Sequence, residues 1–261
     1  MGGGVAVIIL LIAVFGPLFS PSDPHRVDFG NTLSPPSFRN LLGTDHLGRD
    51  ILGRLIYGAW ISLAVGIGAT VISMLVGGLW GLIAGYFGRW IDVILMRSLD
   101  VVWAFPPVLL ALAFVAIRGP SLSAVILAIG IVGIPMFARI VRSTVLSVKE
   151  KDYILAAKSS GISHFKIMFT HILPNIMAPV TVVATFGVAG AIMIESILSF
   201  LGLGIQPPAS SWGLMINEGQ KYLRTFPYYS LFPGLTIMIT VFAFNAFGDG
   251  LRDAWDPKLK T

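Results

Sequence analysis

Two polar stretches lie between apolar blocks of this chain: DYILAAKSSG at residues 152–161 and HILPN at residues 171–175. The first predicts a short helix that ends at Gly161, because glycine adopts the left-handed conformation at a helix end at low cost. Residues 162–173 predict a second, amphipathic helix. Pro174 is expected to end it, because proline lacks the backbone donor that a helix interior needs. A membrane turn does not require so much organised polar chain, so the segment is interpreted as a docking element for a soluble partner.

The same segment allows another interpretation, an interfacial helix that lies on lipid. Four apolar residues in its second half support this alternative: Phe165, Ile167, Met168 and Phe169. Periodicity alone does not decide between docking and lipid contact. Basic residues are concentrated in and around the segment, at Arg139, Arg142, Lys149, Lys151, Lys158 and Lys166.

The composition indicates a membrane protein. Of the 261 residues, 55% are hydrophobic and 12% are charged, with a mean hydropathy of +0.83, whereas a soluble domain carries roughly 25% charged residues. Cysteine is absent, which excludes disulfides and thiolate metal sites. Apolar stretches long enough to cross a bilayer predict an all-α integral membrane protein with about six transmembrane helices. The predicted spans are residues 4–19, 58–87, 95–117, 122–145, 176–201 and 231–250.

The distribution of basic residues predicts the orientation of these spans. Eleven of the 18 Lys and Arg residues lie in or beside the loops 88–94 and 146–175 and the tail 251–261. Because basic residues favour the cytoplasmic side, the segment 152–175 and both termini are predicted to be cytoplasmic. The net charge of +5 therefore reflects membrane topology rather than nucleic-acid binding.

Two regions are predicted along the chain. Residues 1–57 combine an N-terminal transmembrane anchor with a long extracytoplasmic segment at 20–57, which is mostly loop with a short helix near residues 50–56. Residues 58–261 form the main transmembrane domain, with the polar segment at 152–175. Within the second span, small residues recur every four positions at Gly77, Gly81 and Gly85. This spacing indicates close packing of helices rather than a ligand site.

The chain contains no Gly-x-x-x-x-Gly-Lys-Ser/Thr pattern, and so no recognisable phosphate-binding loop of its own. If the protein carries out active transport, the energy comes from an ion gradient or from a separate subunit. No cofactor or metal is expected on this chain. The four histidines are scattered along the sequence without ligand spacing to an acidic partner, so they do not predict a metal site: His25, His46, His164 and His171.

The spacing in DYILAAKSSG resembles the "EAA" loop of ABC importer permeases, with Leu155 at the position of the family's Glu. His171 also departs from the general pattern. Both departures fit the branch that imports peptides and nickel. Other stretches resemble the second permease subunit of the dipeptide, oligopeptide and nickel importers: LGTDHLGRD at 42–50, RLIYGA at 54–59, IDVILMR at 91–97, SFLGLGIQPP at 199–208, SWG at 211–213, AFN at 243–245 and GDGLRD at 248–253.

The resemblance implies a type I (MetI-like) permease fold whose cytoplasmic coupling helices insert into the ATPase subunits. The expected partners are a homologous permease in a heterodimer, two cytoplasmic ATPase subunits that hold ATP and Mg²⁺, and an extracytoplasmic substrate-binding protein. Transport would follow alternating access across a bacterial or archaeal cytoplasmic membrane, with no covalent chemistry on this chain. The cargo would be di- or oligopeptides or a related solute such as nickel. The coupling residues would be Tyr153, Ala156, Ala157, Lys158, Gly161, Leu173 and Pro174.

Asp45, Arg49 and Asp50 admit three interpretations: substrate ligands, a structural ion-pair cluster, or direct contacts with the docked binding protein. The structural cluster is favoured, because Thr44, Asp45 and Gly48 also suit turn and capping chemistry. Trp212 joins Asp45, Arg49 and Asp50 as a docking candidate. Arg54 and Tyr57 are expected to anchor the second span at the interface.

Intramembrane carboxylates are costly and are therefore candidates for function. Asp100 can pair with Arg97 on one helical face, whereas Glu195 has no basic residue near it in sequence. Glu195, Asp100, Phe105 and Pro106 are the candidates for the translocation pathway, although a structural hydrogen bond is the favoured role for Glu195. These carboxylates also define the alternative function, an ion-gradient-driven secondary transporter. A membrane-embedded enzyme is a further rival, but no nucleophile–base or metal cluster supports it.

Overall fold

The computed structural model describes residues 2–19, 23, 24 and 26–255. Within these residues the chain is helical and contains no β-strand. The helices are α1 (Gly2–Phe19), α2 (Ile51–Phe87), α3 (Arg89–Trp103), α4 (Pro107–Arg118), α5 (Leu122–Val148), α6 (Asp152–Ser159), α7 (His164–Lys166), α8 (Leu173–Phe200), α9 (Trp212–Gly219) and α10 (Tyr228–Trp255). Short 3₁₀ turns lie at Phe29–Asn31 and Gln220–Tyr222.

Five of the described helices are long and apolar enough to cross a membrane: α1, α2, α5, the continuous helix His164–Phe200, and α10. The pair α3 and α4 makes a sixth span if it is counted as one broken unit. This agrees with the predicted all-α membrane protein of about six spans. The termini of α2 define the two ends of the bundle, called here the α9 end, near Ile51, and the α6 end, near Phe87.

The second span begins earlier than predicted. Asp50 caps α2 by accepting a hydrogen bond from the Gly53 backbone N–H at 2.8 Å. The predicted helix at 50–56 and the predicted span at 58–87 are therefore one helix of 37 residues. The predicted boundary between residues 57 and 58 falls inside this helix and does not coincide with a structural break.

The third predicted span, residues 95–117, is broken into two helices. The axes of α3 and α4 differ by 83°, and the break falls at residues 104–106. Pro106 and Pro107 cause it, because neither residue can donate a backbone hydrogen bond to continue α3. Pro107 instead occupies the first turn of α4, where the missing donor costs nothing.

Pro174 does not end a helix, contrary to the prediction. A π-helical turn at Ile167–Ile172 leads directly from α7 into α8. Pro174 lies in the first turn of α8, so the wider turn before it absorbs the ring and the missing donor. The predicted second amphipathic helix is thus the first part of the span His164–Phe200.

The predicted close packing at the glycine repeat of α2 is confirmed. A Cβ atom at Gly77 would lie 2.5 Å from the Ile134 carbonyl oxygen, and one at Gly81 would lie 2.3 Å from the Ala138 carbonyl oxygen. Only glycine allows α5 to approach α2 so closely. The α2–α5 pair is the centre of the bundle, with α8 packed against both helices.

Candidate functional site

The short helix α6 lies along the chain between α5 and the span that begins at His164. Two apolar residues on one face, Ile154 and Ala157, are buried against a cluster that includes Val145, Val148 and Ile167. The other positions of α6 are exposed, and Tyr153 and Leu155 lie on either side of the buried pair. A helix that is anchored on one face and exposes apolar side chains elsewhere can bind another surface.

The predicted coupling residues divide by exposure. Tyr153, Ala156, Lys158, Gly161 and Pro174 are exposed, and Leu173 is half-buried. Ala157 is buried within the chain itself, so its small side chain serves the packing of α6 onto the bundle. The prediction that both alanines face a partner is therefore wrong for Ala157.

Gly161 ends the helix α6, as predicted. Its φ is +72°, and the Ile162 N–H donates to the Ala157 carbonyl while the Gly161 N–H donates to the Lys158 carbonyl. These two bonds form a Schellman motif, which fixes the direction of the chain after α6. A Cβ atom at this position would have no neighbour within 4 Å, so the requirement for glycine is conformational.

The lipid-contact alternative for the second half of the segment fails for two of its four residues. Ile167 and Met168 are buried in the core beside α6, whereas Phe165 and Phe169 remain exposed, with ring centroids 4.5 Å apart. Sequence analysis also missed Tyr86 in this region. Its hydroxyl forms a hydrogen bond with His164 Nδ1 at 2.7 Å, and the Lys158 ammonium lies 5.3 Å from its ring centroid.

A buried polar cluster lies at the α9 end and joins distant parts of the chain. Asp45 Oδ2 accepts hydrogen bonds from Arg49 Nε at 2.7 Å and from Arg54 Nη1 at 2.6 Å. Arg54 Nη1 also donates to Glu218 Oε2 and to the Tyr229 hydroxyl, each at 2.7 Å. Tyr229 donates in turn to Glu218. The cluster therefore fastens residues 45–54 to α9 and α10.

Burial and the charges of this cluster shift the pKa values of Glu218 and His46. Burial opposes ionisation of Glu218, but the Arg54 guanidinium and hydrogen bonds from Tyr229 and Arg54 outweigh it, so the pKa of Glu218 is lowered. Burial lowers the pKa of His46, which Asp45 and Glu218 only partly oppose. His46 is therefore neutral near pH 7.

Asp45, His46 and Glu218 come together in space, which the histidine spacing did not predict. One ligand atom from each residue lies within 4.8 Å of the others. Arg49 and Arg54 already pair with the two carboxylates, however, and place positive charge where a cation would bind. The arrangement is an ion-pair cluster rather than a metal cage. His25 lies outside the described residues.

The four docking candidates are all buried. Asp45 and Trp212 have no exposed surface, and Arg49 and Asp50 are nearly as inaccessible. Trp212, the first residue of α9, donates from its indole nitrogen to the Leu55 carbonyl at 3.0 Å and packs in a buried cluster with residues of α2, α8 and α10. The interpretation of these residues as direct contacts for a docked protein is therefore wrong for this structure. Arg54, which was expected to anchor the second span at the membrane interface, is also buried, with only 1% of its surface exposed.

Glu195 is enclosed by hydroxyl groups and has no exposed surface. Ser199 donates to one carboxyl oxygen at 2.7 Å and Ser62 to the other at 3.3 Å. Ser211 lies 3.3 Å from the Ser199 hydroxyl and caps α9 by accepting a hydrogen bond from the Leu214 N–H. Glu195 thus joins α8 to α2 and to the start of α9. It does not line a pathway in this structure, contrary to that candidate role.

The other pathway candidates lie together at the break between α3 and α4. Phe105 and Pro106 are exposed, and Asp100 is half-exposed. Asp100 pairs with Arg97 at 3.6 Å, as predicted from their spacing, and with Arg139 of α5 at 2.8 Å. A cavity of about 190 Å³ lies beside the break, between α2, α5 and α8, and Trp103, Pro107, Thr70 and Ser73 contribute to its walls.

The chain resembles permeases over almost its whole length. It is 48% identical over 252 residues to the dipeptide transport system permease protein DppC of Alkalihalophilus pseudofirmus, covering 97% of this chain and 83% of the relative. It is 42% identical to the oligopeptide transport system permease protein OppC of Bacillus subtilis (98% and 84% covered). It is 43% identical to the glutathione transport system permease protein GsiD of Pectobacterium atrosepticum (100% and 87% covered).

Solved structures share the fold. A chain of the inward-facing MetNI methionine ABC transporter superposes with a TM-score of 0.65 at 17% identity, covering 79% of this chain and 98% of that one. An amino acid ABC transporter gives a TM-score of 0.57 at 16% identity, with 76% and 91% covered. These likenesses confirm the predicted MetI-like fold.

Family models match both parts of the chain. Residues 1–36 match the N-terminal TM domain of oligopeptide transport permease C, and residues 77–261 match the binding-protein-dependent transport system inner membrane component. Proteins of this family are multi-pass, non-catalytic permease components of inner-membrane transport systems, and in general they work with a partner permease and ATPase subunits. The chain belongs to the family of binding-protein-dependent transport system inner membrane components.

Proposed function

We propose that this permease imports peptides, or a closely related solute, as one half of a permease heterodimer. The transport of dipeptides, oligopeptides and glutathione by relatives that are 42–48% identical supports this substrate class. The energy comes from ATP hydrolysed with Mg²⁺ on two separate ATPase subunits, since the sequence carries no phosphate-binding loop. This chain itself holds no cofactor.

The observation that carries the proposal is the exposed surface of α6 on both sides of its buried residues. An apolar side chain such as Tyr153 or Leu155 gains by leaving water, and α6 presents both on a helix that Ile154 and Ala157 hold in place. An ATPase subunit is the soluble partner that covers this face. Ala156 allows close approach there, and Gly161 fixes the angle at which the chain returns to the bundle.

The α6 end of the bundle is the cytoplasmic end. It carries basic residues at Lys149, Lys151, Lys158 and Lys166, and basic residues favour the cytoplasmic side of a membrane. Both termini lie on this side. The α9 end, with the segment before α2, then faces the exterior and the substrate-binding protein.

Exposed apolar residues between α1 and α2 are better docking candidates than the buried polar cluster. Phe29, Phe38 and Leu41 are exposed, and Phe38 has 105% of the reference surface. The cluster around Arg54 fixes the position of this segment, because it joins Asp45 to α9 and α10. The buried cluster thus orients the surface, while the exposed residues contact the binding protein.

The face at the α3–α4 break is part of the translocation pathway. A half-exposed ion pair such as Asp100–Arg139 is costly in lipid and is tolerated where it faces water or protein. Phe105 and Pro106 lie beside this pair, and the cavity of about 190 Å³ opens at the same level. Alternating access would expose this face to each side of the membrane in turn.

Reconstitution of the complete complex tests the proposal. The permease is expressed with its neighbouring permease, ATPase and binding-protein genes, purified through a tag on this chain, and placed in proteoliposomes. We expect the ATPase subunits to copurify and peptide uptake to require both ATP and the binding protein. Peptide uptake driven by a proton or sodium gradient without ATP would contradict the proposal and favour a secondary transporter.

A further inference from the structure

Three basic residues on one side of α5 and its C-terminal cap bind α2 and α3. Arg142 makes two hydrogen bonds to Asp92 of α3, from Nε to Oδ1 and from Nη2 to Oδ2, both at 2.5 Å. Arg139 Nη2 donates to Asp100 Oδ1 of α3 at 2.8 Å. Lys149 Nζ donates to the Gly85 carbonyl near the end of α2 at 2.8 Å. Spacings of three and seven residues place all three on the same side of α5.

Helix α3 has little apolar packing of its own. Among residues 89–103, all of which the structure describes, only Leu99 is buried. Its packing partners are α2 and α5. Polar contacts therefore contribute to the position of α3. The bidentate Arg142–Asp92 pair is the most specific of them, because a planar guanidinium and a carboxylate fix each other's orientation.

The second pair is reinforced by an aromatic contact. The Arg139 guanidinium carbon lies 4.5 Å from the ring centroid of Trp103, the last residue of α3. A guanidinium over an indole face is attracted by the ring's quadrupole. Arg139 thus holds α3 where it meets the α3–α4 break, and Arg142 holds its first turn.

Helix α5 leads directly into the proposed coupling helix. It ends at Val148, with Lys149 as its C-terminal cap, and α6 begins at Asp152. Val145 and Val148 of α5 also pack with Ile154 of α6 in one buried cluster. A displacement of α6 is therefore transmitted to α5 through both the chain and the core.

We propose that the pairs Arg142–Asp92 and Arg139–Asp100 form a clamp that makes α3 move with α5, so that displacement of α6 reaches the α3–α4 break. Asp92, Asp100, Arg139 and Arg142 are positioning residues for transport, and they act through α3 rather than by contact with the cargo. The clamp rests on the proposed function of α6 as the coupling helix. Membrane topology alone would explain the positive charges of Arg139 and Arg142, and the clamp gives these residues a second role in holding α3 to α5.

Charge reversal tests the clamp in the assembled complex. Asp92→Arg and Arg142→Asp are made singly and together, and peptide uptake is measured per ATP hydrolysed. Each single variant is expected to lower this ratio by about tenfold, a size typical of coupling between sites. The double variant should recover most of the loss. Arg97→Asn is the matched control, because Arg97 also pairs with Asp100 but 80% of its side chain is exposed, and its ratio should remain unchanged.

A distance measurement on the same complexes does not depend on transport. The chain has no cysteine, so spin labels can be attached at Ser98→Cys in α3 and Ser143→Cys in α5, both exposed positions. A narrow distance distribution is expected for the parent. A broad one is expected for the mild variants Asp92→Asn and Arg142→Gln, which also serve if charge reversal prevents assembly.

The outcomes separate the two proposals. Unchanged distances in the mild variants would overturn the clamp, as would failure of the double reversal to restore coupling in an assembled complex. A parent complex that shows no ATP-dependent uptake would instead contradict the proposed function. The distance distributions would still report whether the ion pairs hold α3 to α5.

Discussion

Arg54 of α2 and Glu218 of α9 are 164 residues apart in the chain, yet Arg54 Nη1 lies 2.7 Å from Glu218 Oε2. The arginine is 1% exposed and also pairs with Asp45 at 2.6 Å. One guanidinium thus joins the loop before α2, the first turn of α2 and the short helix α9. This cluster fixes the shape of the α9 end of the bundle, where we propose that a binding protein docks.

Arg54→Met is expected to destabilise the protein strongly. Breaking a buried ion pair by removing one partner costs about 3–5 kcal/mol, because the remaining charges stay buried. Here Asp45 and Glu218 would lose their shared partner. Thermal unfolding in detergent measures the effect. Arg39→Met is the matched control, since Arg39 is exposed in the loop before α2, and a loss equal to that of Arg54→Met would contradict the assignment.

The pH dependence of stability should report Glu218. Its pKa is lowered in the folded protein, whereas an unfolded Glu titrates near a pKa of about 4.3. The folded state therefore binds fewer protons in this range, and the stabilisation is present above that value. It is lost as the pH falls through the lowered pKa. Glu218→Gln should unfold at a lower temperature at pH 7 and lose part of the pH dependence below pH 5. An identical pH profile would show that Glu218 does not contribute in this way.

Glu195→Ala is expected to reduce stability rather than the transport rate of each assembled complex. The substitution removes the acceptor for Ser199 and Ser62 in a site with no exposed surface. A buried group left without its partner costs about 1–3 kcal/mol. Unfolding temperature and uptake per complex are measured together, with Glu150→Ala as the exposed control. A fully stable variant with no uptake would contradict this structural role and indicate that Glu195 lines the pathway.

Gly161→Val should uncouple ATP hydrolysis from transport while leaving membrane insertion intact. A left-handed conformation at a residue with a side chain costs about 1–2 kcal/mol, so valine would redirect the chain after α6. Gly119→Val is the matched control, because Gly119 also has a positive φ and no atom within 4 Å of its Cβ position, but it lies between α4 and α5. Stimulation of ATPase activity by substrate is measured for both. Equal stimulation in the two variants would refute the special role of Gly161.

Apolar length and residue spacing predicted most of the membrane architecture. Each of the five long helices overlaps a predicted span, and the Gly77–Gly81–Gly85 spacing correctly indicated a close helix contact. Gly161 was also identified as a helix end, because the requirement for a positive φ is local. These features depend on near neighbours in sequence or on total hydrophobicity, which a single sequence records.

The errors arose where distant contacts or unusual turns decide the outcome. Arg54 resembles an interfacial anchor in sequence, but Asp45 and Glu218 allow it to be buried. Pro174 resembles a helix stop, but the π turn before it accommodates the ring. Ala156 and Ala157 are equivalent in sequence, and only the packing of α6 distinguishes the exposed residue from the buried one.

Photocrosslinking from α6 tests the central claim most directly. Tyr153→Cys, in a chain without other cysteines, is labelled with a benzophenone maleimide in membranes that contain the complete importer. Phe38→Cys, exposed at the α9 end, is the control. The ATPase subunit should be captured from position 153 and not from position 38. Capture of the ATPase from position 38, with none from position 153, would contradict both the coupling role of α6 and the proposed orientation.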